Sequence, residues 1–494
     1  MANSSLANKK FDQIVAHYDI AILGTGFSGL GMAIKLKQKG YNDFTVLERN
    51  TDVGGTWFVN NYPGCACDVP SHLYSFSFAP NPTWSRTFSP QNEIQNYLRN
   101  CAEKYEVIDH IKFETNVEDA SWEQDHWEIK TNKGTYSSRV LVAGTGALSE
   151  PLTPDIPGIE SFEGPIFHSA EWRHDLDLSG KIIASIGTGA SAIQYVPEIQ
   201  KDVAQLDVYM RTPPWIMPHP DRGVSEIERK IYEILPPLQL AMRAGIFWAR
   251  ETFALAFTSQ RWLMGIGEKI SSRHLRNQVK DPTLRDALTP TFKMGCKRVL
   301  LSNKFYPTLQ KENVTLVNSG ISSVTKNGVV TKDGIEHKAD VIIFGTGFKV
   351  AEMPAASRIR GKSGVYLSTA WKGSPRALLG TTVPDFPNLF LLMGPNTGLG
   401  HNSMVYMIES QIHYTIEALK EMQKGNFDTI EAKHESLDKF VSKVDSKMEG
   451  TVWLSGCNSW YLDENGRNPS LWPGFSWQFR SAARKLENNQ YIFS

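Results

Sequence analysis

Residues 18–29 read Tyr-Asp-Ile-Ala-Ile-Leu-Gly-Thr-Gly-Phe-Ser-Gly, an apolar strand that runs into a glycine-rich turn beginning at Gly24. Glu48 follows Gly24 by 24 positions. In the strand–turn–helix layout of a dinucleotide site, amides at the helix N-terminus hold the pyrophosphate, and the end of the next strand contacts the adenosine ribose. Because a carboxylate accepts hydrogen bonds from free ribose hydroxyls, this unit predicts a nucleotide without a 2′-phosphate.

The same pattern occurs a second time, with the opposite charge at its end. Residues 181–192 read Lys-Ile-Ile-Ala-Ser-Ile-Gly-Thr-Gly-Ala-Ser-Ala, and Arg211 follows the first glycine, Gly187, by 24 positions. A guanidinium at this place pairs with a 2′-phosphate, and the hydroxyl of Thr212 can add a donor. The two units together predict FAD and NADPH as cofactors. The alternatives are two glycine turns that hold no phosphate and an Arg211 that is simply solvated.

Length and composition limit the classes of protein that the chain can belong to. Its 494 residues suffice for two or three domains. Its 52 basic and 52 acidic residues give zero net charge, which argues against nucleic acid or an anionic membrane as the main partner. The five cysteines are scattered and form no Cys-x-x-Cys, which argues against a disulfide framework or a metal site. A reducing compartment, the cytoplasm, is therefore expected. A monomer is favoured over an oligomer, and the sequence leaves both open.

One long apolar stretch, residues 231–257, contains Arg243, Arg250 and Glu251. A membrane-spanning helix needs about 20 residues with few or no charges, so no integral membrane segment is predicted. A pair of packed helices is expected here, and a helix resting on a membrane is the alternative.

The order of strand and helix signals predicts an α/β fold with two Rossmann-like dinucleotide-binding domains, for FAD and NADP, and a helical insertion in the NADP domain. Strands that run into Gly-Thr-Gly at 144–146 and 345–347 fit crossings between the two domains, although a buried strand with a tight exit has the same pattern. The predicted parts are 1–150 (FAD domain, first part), 151–220 (NADP domain, first part), 221–294 (helical insertion), 295–350 (NADP domain, second part) and 351–494 (FAD domain, second part, with the C-terminal tail).

Two further motifs resemble the fingerprints of one enzyme family. The first comprises Gly54-Gly55-Thr56-Trp57, Tyr62-Pro63-Gly64 and Asp68, and the second comprises Phe162-Glu163-Gly164, His168 and Trp172. They resemble the two signatures of type I Baeyer–Villiger monooxygenases, the FAD- and NADPH-dependent class B flavoprotein monooxygenases. The chain departs from the family pattern after Trp172, where Arg173 stands in place of the usual Pro or Asp.

The resemblance implies a reaction. NADPH delivers a hydride to FAD, and the reduced flavin takes up dioxygen as a flavin peroxide. The deprotonated peroxide attacks a ketone, and the tetrahedral adduct rearranges to an ester or lactone, so a ketone and dioxygen are the implied partners. The same chemistry can extend to thioethers. It needs a fixed cation beside the flavin and a site closed to bulk water.

Arg298 is the cation that the resemblance implies, and Asp68 is the carboxylate that would hold it in position, so both are predicted to be catalytic. Neighbouring side chains of an extended segment point to opposite sides, so Arg298 would face the flavin while Lys297 faces the 2′-phosphate beside Arg211. Arginine suits the role because it does not give up its proton to the peroxide. The alternatives are a solvated basic pair and, for Asp68, a turn residue after Pro-Gly.

The predicted cofactor-binding residues combine the two turns with positions that match the family. They are Gly24, Gly26, Phe27, Ser28, Gly29, Glu48, Gly55, Thr56, Trp57, Asp68, Tyr74, Val117, Gly187, Thr188, Gly189, Ala190, Ser191, Gln194, Arg211, Thr212, Lys297, Arg298 and Trp460. Trp460 matches a mobile segment that covers NADP, and a core aromatic is the alternative. For His168 the family implies a linker role, and a hydrogen-bonded structural histidine fits equally well.

Three other functions compete with this interpretation. A heteroatom-oxidising flavin monooxygenase keeps its peroxide protonated and attacks nitrogen or sulfur, and that group lacks the arrangement of Asp68 and Arg298. A disulfide reductase needs a cysteine pair at the flavin, and Cys65-Ala66-Cys67 has the wrong spacing for one. A non-catalytic flavin-binding protein would not consume oxygen after reduction by NADPH.

Overall fold

A computed structural model of the chain describes residues 14–148, 150–260, 262–350, 353–457 and 459–494. Residues 1–13, which belong to the first predicted domain, lie outside the described residues. In chain order the strands are β1 (Ile14–Leu23), β2 (Phe44–Leu47), β3 (Ile111–Lys112), β4 (Val117–Glu123), β5 (His126–Thr131), β6 (Gly134–Ala143), β7 (Ile166–His168), β8 (Ile182–Ile186), β9 (Gln205–Tyr209), β10 (Ile216–Met217), β11 (Leu300–Leu301), β12 (Val314–Val317), β13 (Ile321–Thr325), β14 (Gly328–Thr331), β15 (Glu336–Lys338), β16 (Val341–Phe344), β17 (Ile359–Arg360), β18 (Leu389–Leu391), β19 (Ile430–Ala432) and β20 (Tyr491–Phe493). The α-helices are α1 (Phe27–Gln38), α2 (Thr56–Val59), α3 (Gln91–Lys104), α4 (Ala192–Ile199), α5 (Glu226–Ile234), α6 (Pro236–Thr258), α7 (Trp262–Gln278), α8 (Pro282–Ala287), α9 (Phe305–Thr308), α10 (Leu367–Ala370), α11 (Met404–Gly425), α12 (His434–Met448) and α13 (Ser476–Ala482).

The larger sheet takes its eight strands from two distant parts of the chain. Its order is β17-β4-β5-β6-β1-β2-β3, and β18 also pairs with β6. β1 lies inside the sheet and pairs in parallel with β2 and β6. Its side chains alternate between two cores, because Ile20 and Ile22 pack with Leu30 of α1, whereas Ala21 and Leu23 belong to a second cluster on the other face. The first glycine turn therefore leaves the sheet at a rigid, buried strand.

The second sheet has five parallel strands in the order β12-β9-β8-β16-β7. The second glycine turn lies between β8 and α4, so each sheet carries one strand–turn–helix unit. The chain passes from the larger sheet to this one after β6 and returns after β16, at the two Gly-Thr-Gly segments. The predicted α/β fold with two Rossmann-like units is confirmed. The domain boundaries at residues 150, 220, 294 and 350 stay predictions.

Four helices, α5 to α8, lie between β10 and β11 and form a helical insertion. Residues 231–257 fall on two helices, because α5 ends at Ile234 and α6 begins at Pro236, a residue suited to the first turn of a helix. Helix α6 turns polar groups inward, since Glu251 is 2% exposed whereas Trp248 is 58% exposed. None of the helices in the described ranges combines the length and the hydropathy that a membrane span requires.

The cysteine pattern argued against disulfide bonding, and the structure contradicts this for one pair. Cys296 and Cys457 form a disulfide bond, with Cα atoms 6.3 Å apart. Sequence spacing gave no sign of it, because 161 positions separate the two residues and only the folded chain brings them together. Cys65, Cys67 and Cys101 are free and buried.

The disulfide makes a thiol count predictable. Denatured without reductant, the chain should react at three thiols in a titration with dithionitrobenzoate, and at all five cysteines after reduction. Cys457→Ser should lower the free energy of unfolding by roughly 2–4 kcal/mol, because a crosslink over a long loop restricts the unfolded chain. Urea denaturation measures this loss, and Cys101→Ser, which removes a buried free thiol, is the matched control. Five reactive thiols before reduction would contradict the bond.

Candidate active site

A pocket lies at the carboxyl ends of β1, β2 and β6, the edge at which sheets of this kind bind nucleotides. Ten of the predicted cofactor-binding residues line it: Gly24, Gly26, Phe27, Ser28, Glu48, Gly55, Thr56, Trp57, Tyr74 and Val117. The structure thus brings these residues together around one space at the start of α1. Their individual roles toward FAD stay predictions.

Each glycine of the first turn is required for a different structural reason. Gly24 has a φ of +89°, which favours glycine. A Cβ on Gly29 would overlap the carbonyl oxygen of Gly24, so this position lets α1 pack close to the turn. At Gly26 the nearest protein atom to an added Cβ would be the Cα of Gly55 at 3.6 Å, so this glycine leaves space in the pocket. Since no side chain in the described ranges caps α1, its first amides fit a pyrophosphate.

Glu48 lies directly after β2, where the spacing places it, and is 3% exposed. One carboxylate oxygen accepts hydrogen bonds from the amide and the hydroxyl of Thr25, at 2.8 and 2.6 Å. The other accepts from the backbone and side-chain amides of Asn50, at 2.8 and 2.6 Å. These bonds fix the carboxylate beside the turn. A carboxylate at this place can also accept hydrogen bonds from ribose hydroxyls, so the residues present fit the adenosine part of FAD.

Three apolar residues of the returning chain also line the pocket, and the sequence motifs did not assign them to a cofactor. Met393, Met404 and Ile408 line it from the segment that follows β18 and from α11. Apolar residues of this kind belong to no motif, and the only sign in the sequence is the glycine-rich stretch 394–400 between them. The return of the chain to the larger sheet therefore contributes to the pocket.

The second turn, from Gly187 to Ser191, connects β8 to α4, and Gly187 has a φ of +107°. Thr188, Gly189 and Ala190 lie within this turn. Arg211 follows β9, and its positive charge acts on Lys297. Burial lowers the pKa of Lys297, and the nearby charge of Arg211 lowers it further. A 2′-phosphate bound beside two such cations would relieve their repulsion, which favours the predicted role of both.

Gln194 is hydrogen-bonded to the loop after α2. Its Oε1 accepts a hydrogen bond from the hydroxyl of Tyr62 at 2.9 Å, and its Nε2 donates to the carbonyl oxygen of Ala66 at 3.0 Å. Both ends of the amide are thus engaged by the loop after α2. Because α4 packs against that loop, Gln194 joins the two nucleotide-binding units, and its contact with a cofactor stays a prediction.

Arg298 and Asp68 form the ion pair that the resemblance implies, although 230 positions separate them in the chain. Nε and Nη2 of Arg298 donate to Oδ2 of Asp68 at 2.8 and 2.6 Å. Lys297 and Arg298 lie in a bend before β11 and not in a strand, because Gly295, with a φ of +87°, turns the chain just before them. The bend nevertheless separates the two side chains, so that Lys297 lies near Arg211 and Arg298 lies against Asp68.

Both members of the pair are ionised. Burial raises the pKa of Asp68, but the charge and hydrogen bonds of Arg298 and the charge of Arg250 more than offset this, and the pKa lies below its usual value. Asp68 in turn raises the pKa of Arg298. Tyr74 lines the pocket, and burial is the main reason that its pKa is raised. The charge of Asp68 raises this pKa further, and the charge of Arg298 lowers it. The ion pair therefore lies within electrostatic reach of Tyr74, one of the residues that line the pocket.

Arg250 and Tyr461 complete the surroundings of the pair, and neither was predicted. Nη2 of Arg250 donates to the backbone carbonyl oxygen of Asp68 at 3.0 Å. Burial raises the pKa of Tyr461 to about 12, and the charge of Arg298 acts in the opposite direction, which shows how close these groups lie. Trp460 is 43% exposed and packs on Tyr461, with ring centroids 4.2 Å apart. Its contact with NADP stays a prediction.

His168 ends β7 and is buried. Its Nδ1 accepts a hydrogen bond from the amide of Ala170 at 3.1 Å, and burial lowers its pKa to about 4. The imidazole is therefore neutral near pH 7, which fits a structural histidine. Arg173, the departure from the family pattern, pairs with Asp175 at 2.6 Å on the surface.

Comparison with curated proteins identifies the family. A Baeyer–Villiger monooxygenase of Pseudomonas aeruginosa is 48% identical over 480 residues, which cover 96% of this chain and 91% of the relative. The chain belongs to the Baeyer–Villiger monooxygenase family. Residues 21–235 also match the family model described as pyridine nucleotide-disulphide oxidoreductase, which is consistent with two nucleotide-binding units.

Solved structures agree with this membership of the Baeyer–Villiger family. A closed crystal structure of cyclohexanone monooxygenase superposes with a TM-score of 0.87 at 25% identity, over 97% of this chain and 99% of that one. A complex of OTEMO with FAD and NADP superposes with a TM-score of 0.86 at 26% identity, with the same coverage. The predicted family, the oxidoreductase class and the cofactors FAD and NADPH are confirmed.

Proposed function

We propose that this Baeyer–Villiger monooxygenase uses NADPH and dioxygen to insert one oxygen atom next to the carbonyl group of a ketone, giving an ester or lactone. The observation that carries the proposal is the hydrogen-bonded ion pair of Arg298 and Asp68, which the folded chain brings together from two distant segments. Arg298 supplies a permanent positive charge, and two hydrogen bonds to one carboxylate oxygen of Asp68 hold its guanidinium in position.

Bound FAD would accept a hydride from NADPH and activate dioxygen; the residues of the chain supply the rest. The glycine turn and Glu48 would hold the adenine dinucleotide part, and Arg211 with Lys297 would hold the 2′-phosphate of NADPH. Arg298 would stabilise the negative charge that develops on the carbonyl oxygen when the carbonyl carbon is attacked. Because a guanidinium keeps its proton, Arg298 acts through charge and hydrogen bonds and not as a general acid.

The decisive experiment is anaerobic reduction of the holoenzyme by NADPH, followed by aeration with linear, cyclic and aryl ketones and one thioether. Product masses separate oxygen insertion into a ketone from oxidation of sulfur. An ester or lactone from at least one ketone supports the proposal. Sulfoxide as the sole product across the panel would favour a heteroatom-oxidising monooxygenase instead, and thioether oxidation beside ester formation would identify a side activity.

Two further parts of the proposal concern the state of the protein in the cell. We expect a monomer in the cytoplasm. The disulfide removes the support that the cysteine pattern offered for a reducing compartment. Fractionation of the source cells would measure where the protein is located. Size-exclusion chromatography with light scattering measures the oligomeric state.

Arg211→Ala is expected to raise the Michaelis constant for NADPH roughly 10- to 100-fold and to leave that for NADH nearly unchanged, because the lost hydrogen bonds to a charged group involve only the 2′-phosphate. Steady-state kinetics with both nucleotides measure the two constants. Arg173→Ala, which removes an exposed arginine paired with Asp175, is the matched control. An equal change for NADPH and NADH would place Arg211 outside the phosphate site.

A further inference from the structure

The carboxylate of Glu251 is a buried charge for which the proposed reaction has no use. It lies on α6 and is 2% exposed. One oxygen accepts hydrogen bonds from Nδ2 of Asn402 at 2.6 Å, from Nε2 of His401 at 3.3 Å and from the hydroxyl of Ser476 at 2.5 Å. The other accepts from the backbone amide of Ser476 at 3.0 Å. Such a charge is costly to bury unless its hydrogen bonds are made.

The donors come from two segments that are distant from the helical insertion in the sequence, although they contact it in the folded chain. His401 and Asn402 lie in the connection between β18 and α11, and Met393 and Met404 on either side of them line the FAD pocket. Oδ1 of Asn402 accepts from the amide of Ser403 at 2.8 Å, so the side chain that binds Glu251 also shapes the start of α11. Ser476 begins α13 in the C-terminal tail.

Arg250, the residue before Glu251 on α6, contacts the segment that carries Asp68. Arg250 donates to the backbone carbonyl oxygen of Asp68, and Asp68 holds Arg298. Two consecutive side chains of one helix thus contact the backbone of Asp68 and the segment of the returning chain that lies between Met393 and Met404. Because an α-helix is stiff over one residue, these two contacts are set at a constant separation.

The hydrogen bonds require an ionised acceptor. Burial raises the pKa of Glu251, but the hydrogen bonds from His401, Ser476 and Asn402 more than offset this, and the pKa lies below its usual value. A glutamine at this position has nearly the same shape, yet it would present an NH₂ group to at least one of these donors. The site therefore distinguishes a carboxylate from an amide.

We propose that Glu251 is a positioning residue that sets the pocket wall at Met393 and Met404 relative to the pair of Asp68 and Arg298. This inference rests on the proposed function, because the relative placement matters for oxygen transfer to a ketone. Glu251 touches neither the pocket nor the ion pair directly and acts through Asn402, Ser476 and the shared helix with Arg250.

The test is Glu251→Gln in the FAD-loaded enzyme. We expect anaerobic reduction by NADPH at a rate within about twofold of the wild type. The ratio of ester to hydrogen peroxide should fall about tenfold, because a displaced pocket wall positions the ketone poorly for oxygen transfer and hydrogen peroxide is released instead. The visible circular dichroism of bound FAD should change as well, which reports the flavin surroundings without turnover. Glu251→Asp keeps the charge and should give values between those of the wild type and Glu251→Gln.

Glu431→Gln is the matched control. Glu431 is also a buried carboxylate, and it accepts from Nζ of Lys362 at 2.7 Å and from the amide of Asp385 at 2.9 Å, on β19 and outside the pocket. This variant should lose stability but keep the product ratio and the flavin spectrum. The inference is overturned if Glu251→Gln keeps both wild-type values, or if Glu431→Gln shifts them equally. A wild type that makes no ester defeats the proposed function instead, while a spectral change confined to the Glu251 variants would still support the positioning role.

Discussion

Arg298→Ala is expected to lower the rate of ester formation roughly 1000-fold while flavin reduction by NADPH stays largely intact. The variant loses the cation that stabilises charge on the carbonyl oxygen, whereas the predicted NADPH contacts of Arg211 and Lys297 remain. Stopped-flow absorbance under anaerobic conditions measures reduction, and product analysis after aeration measures oxygen transfer. Oxygen uptake should continue, with hydrogen peroxide as the product.

Arg298→Lys provides the comparison for this prediction. Lysine keeps the positive charge, but it lacks the fork by which Nε and Nη2 both reach Oδ2 of Asp68. We therefore expect ester formation between that of the wild type and that of Arg298→Ala. Ester formation at the wild-type rate in the alanine variant would remove Arg298 from the reaction, and loss of flavin reduction in both variants would indicate damage to the NADPH site.

The two strand–turn–helix units were predictable because their signals are local. A strand, a glycine turn and a charge 24 positions further on belong to one folding unit, so the places of Glu48 and Arg211 follow from spacing alone. The pair of Asp68 and Arg298 spans 230 positions, and only the family resemblance indicated it.

The remaining parts of the site depend on contacts that no local pattern records. Arg250 lies in an apolar stretch, and its hydrogen bond to the backbone of Asp68 depends on how the folded chain brings α6 to that loop. Gln194 follows the second turn, and nothing in the sequence indicates that the loop after α2 lies against it. Cys296 and Cys457 carry no mutual signal at a separation of 161 positions. In each case the partner is chosen by tertiary packing.

Gly26→Ala is expected to weaken FAD binding roughly 100-fold with little change in the fold of the apoprotein. Gly26 has a φ of −69°, which alanine adopts freely, and its added Cβ would meet the nearest protein atom at 3.6 Å, an ordinary contact. The methyl group would instead occupy space where the pyrophosphate approaches the backbone, at the expense of hydrogen bonds to a charged group. The ratio of flavin to protein after purification and titration of the apoprotein with FAD measure the loss.

Two other glycines separate this steric effect from a general effect of alanine. Gly245→Ala lies in α6 with no described atom within 4 Å of its added Cβ, so the variant should bind FAD normally and gain slight helix stability. Gly29→Ala would overlap the carbonyl oxygen of Gly24 and should lose both FAD and thermal stability. A drop in FAD affinity at Gly26 without a drop in apoprotein stability locates the pyrophosphate at the turn. A fully loaded Gly26→Ala enzyme would show that the phosphates lie elsewhere, since no backbone approach would then be needed at this position.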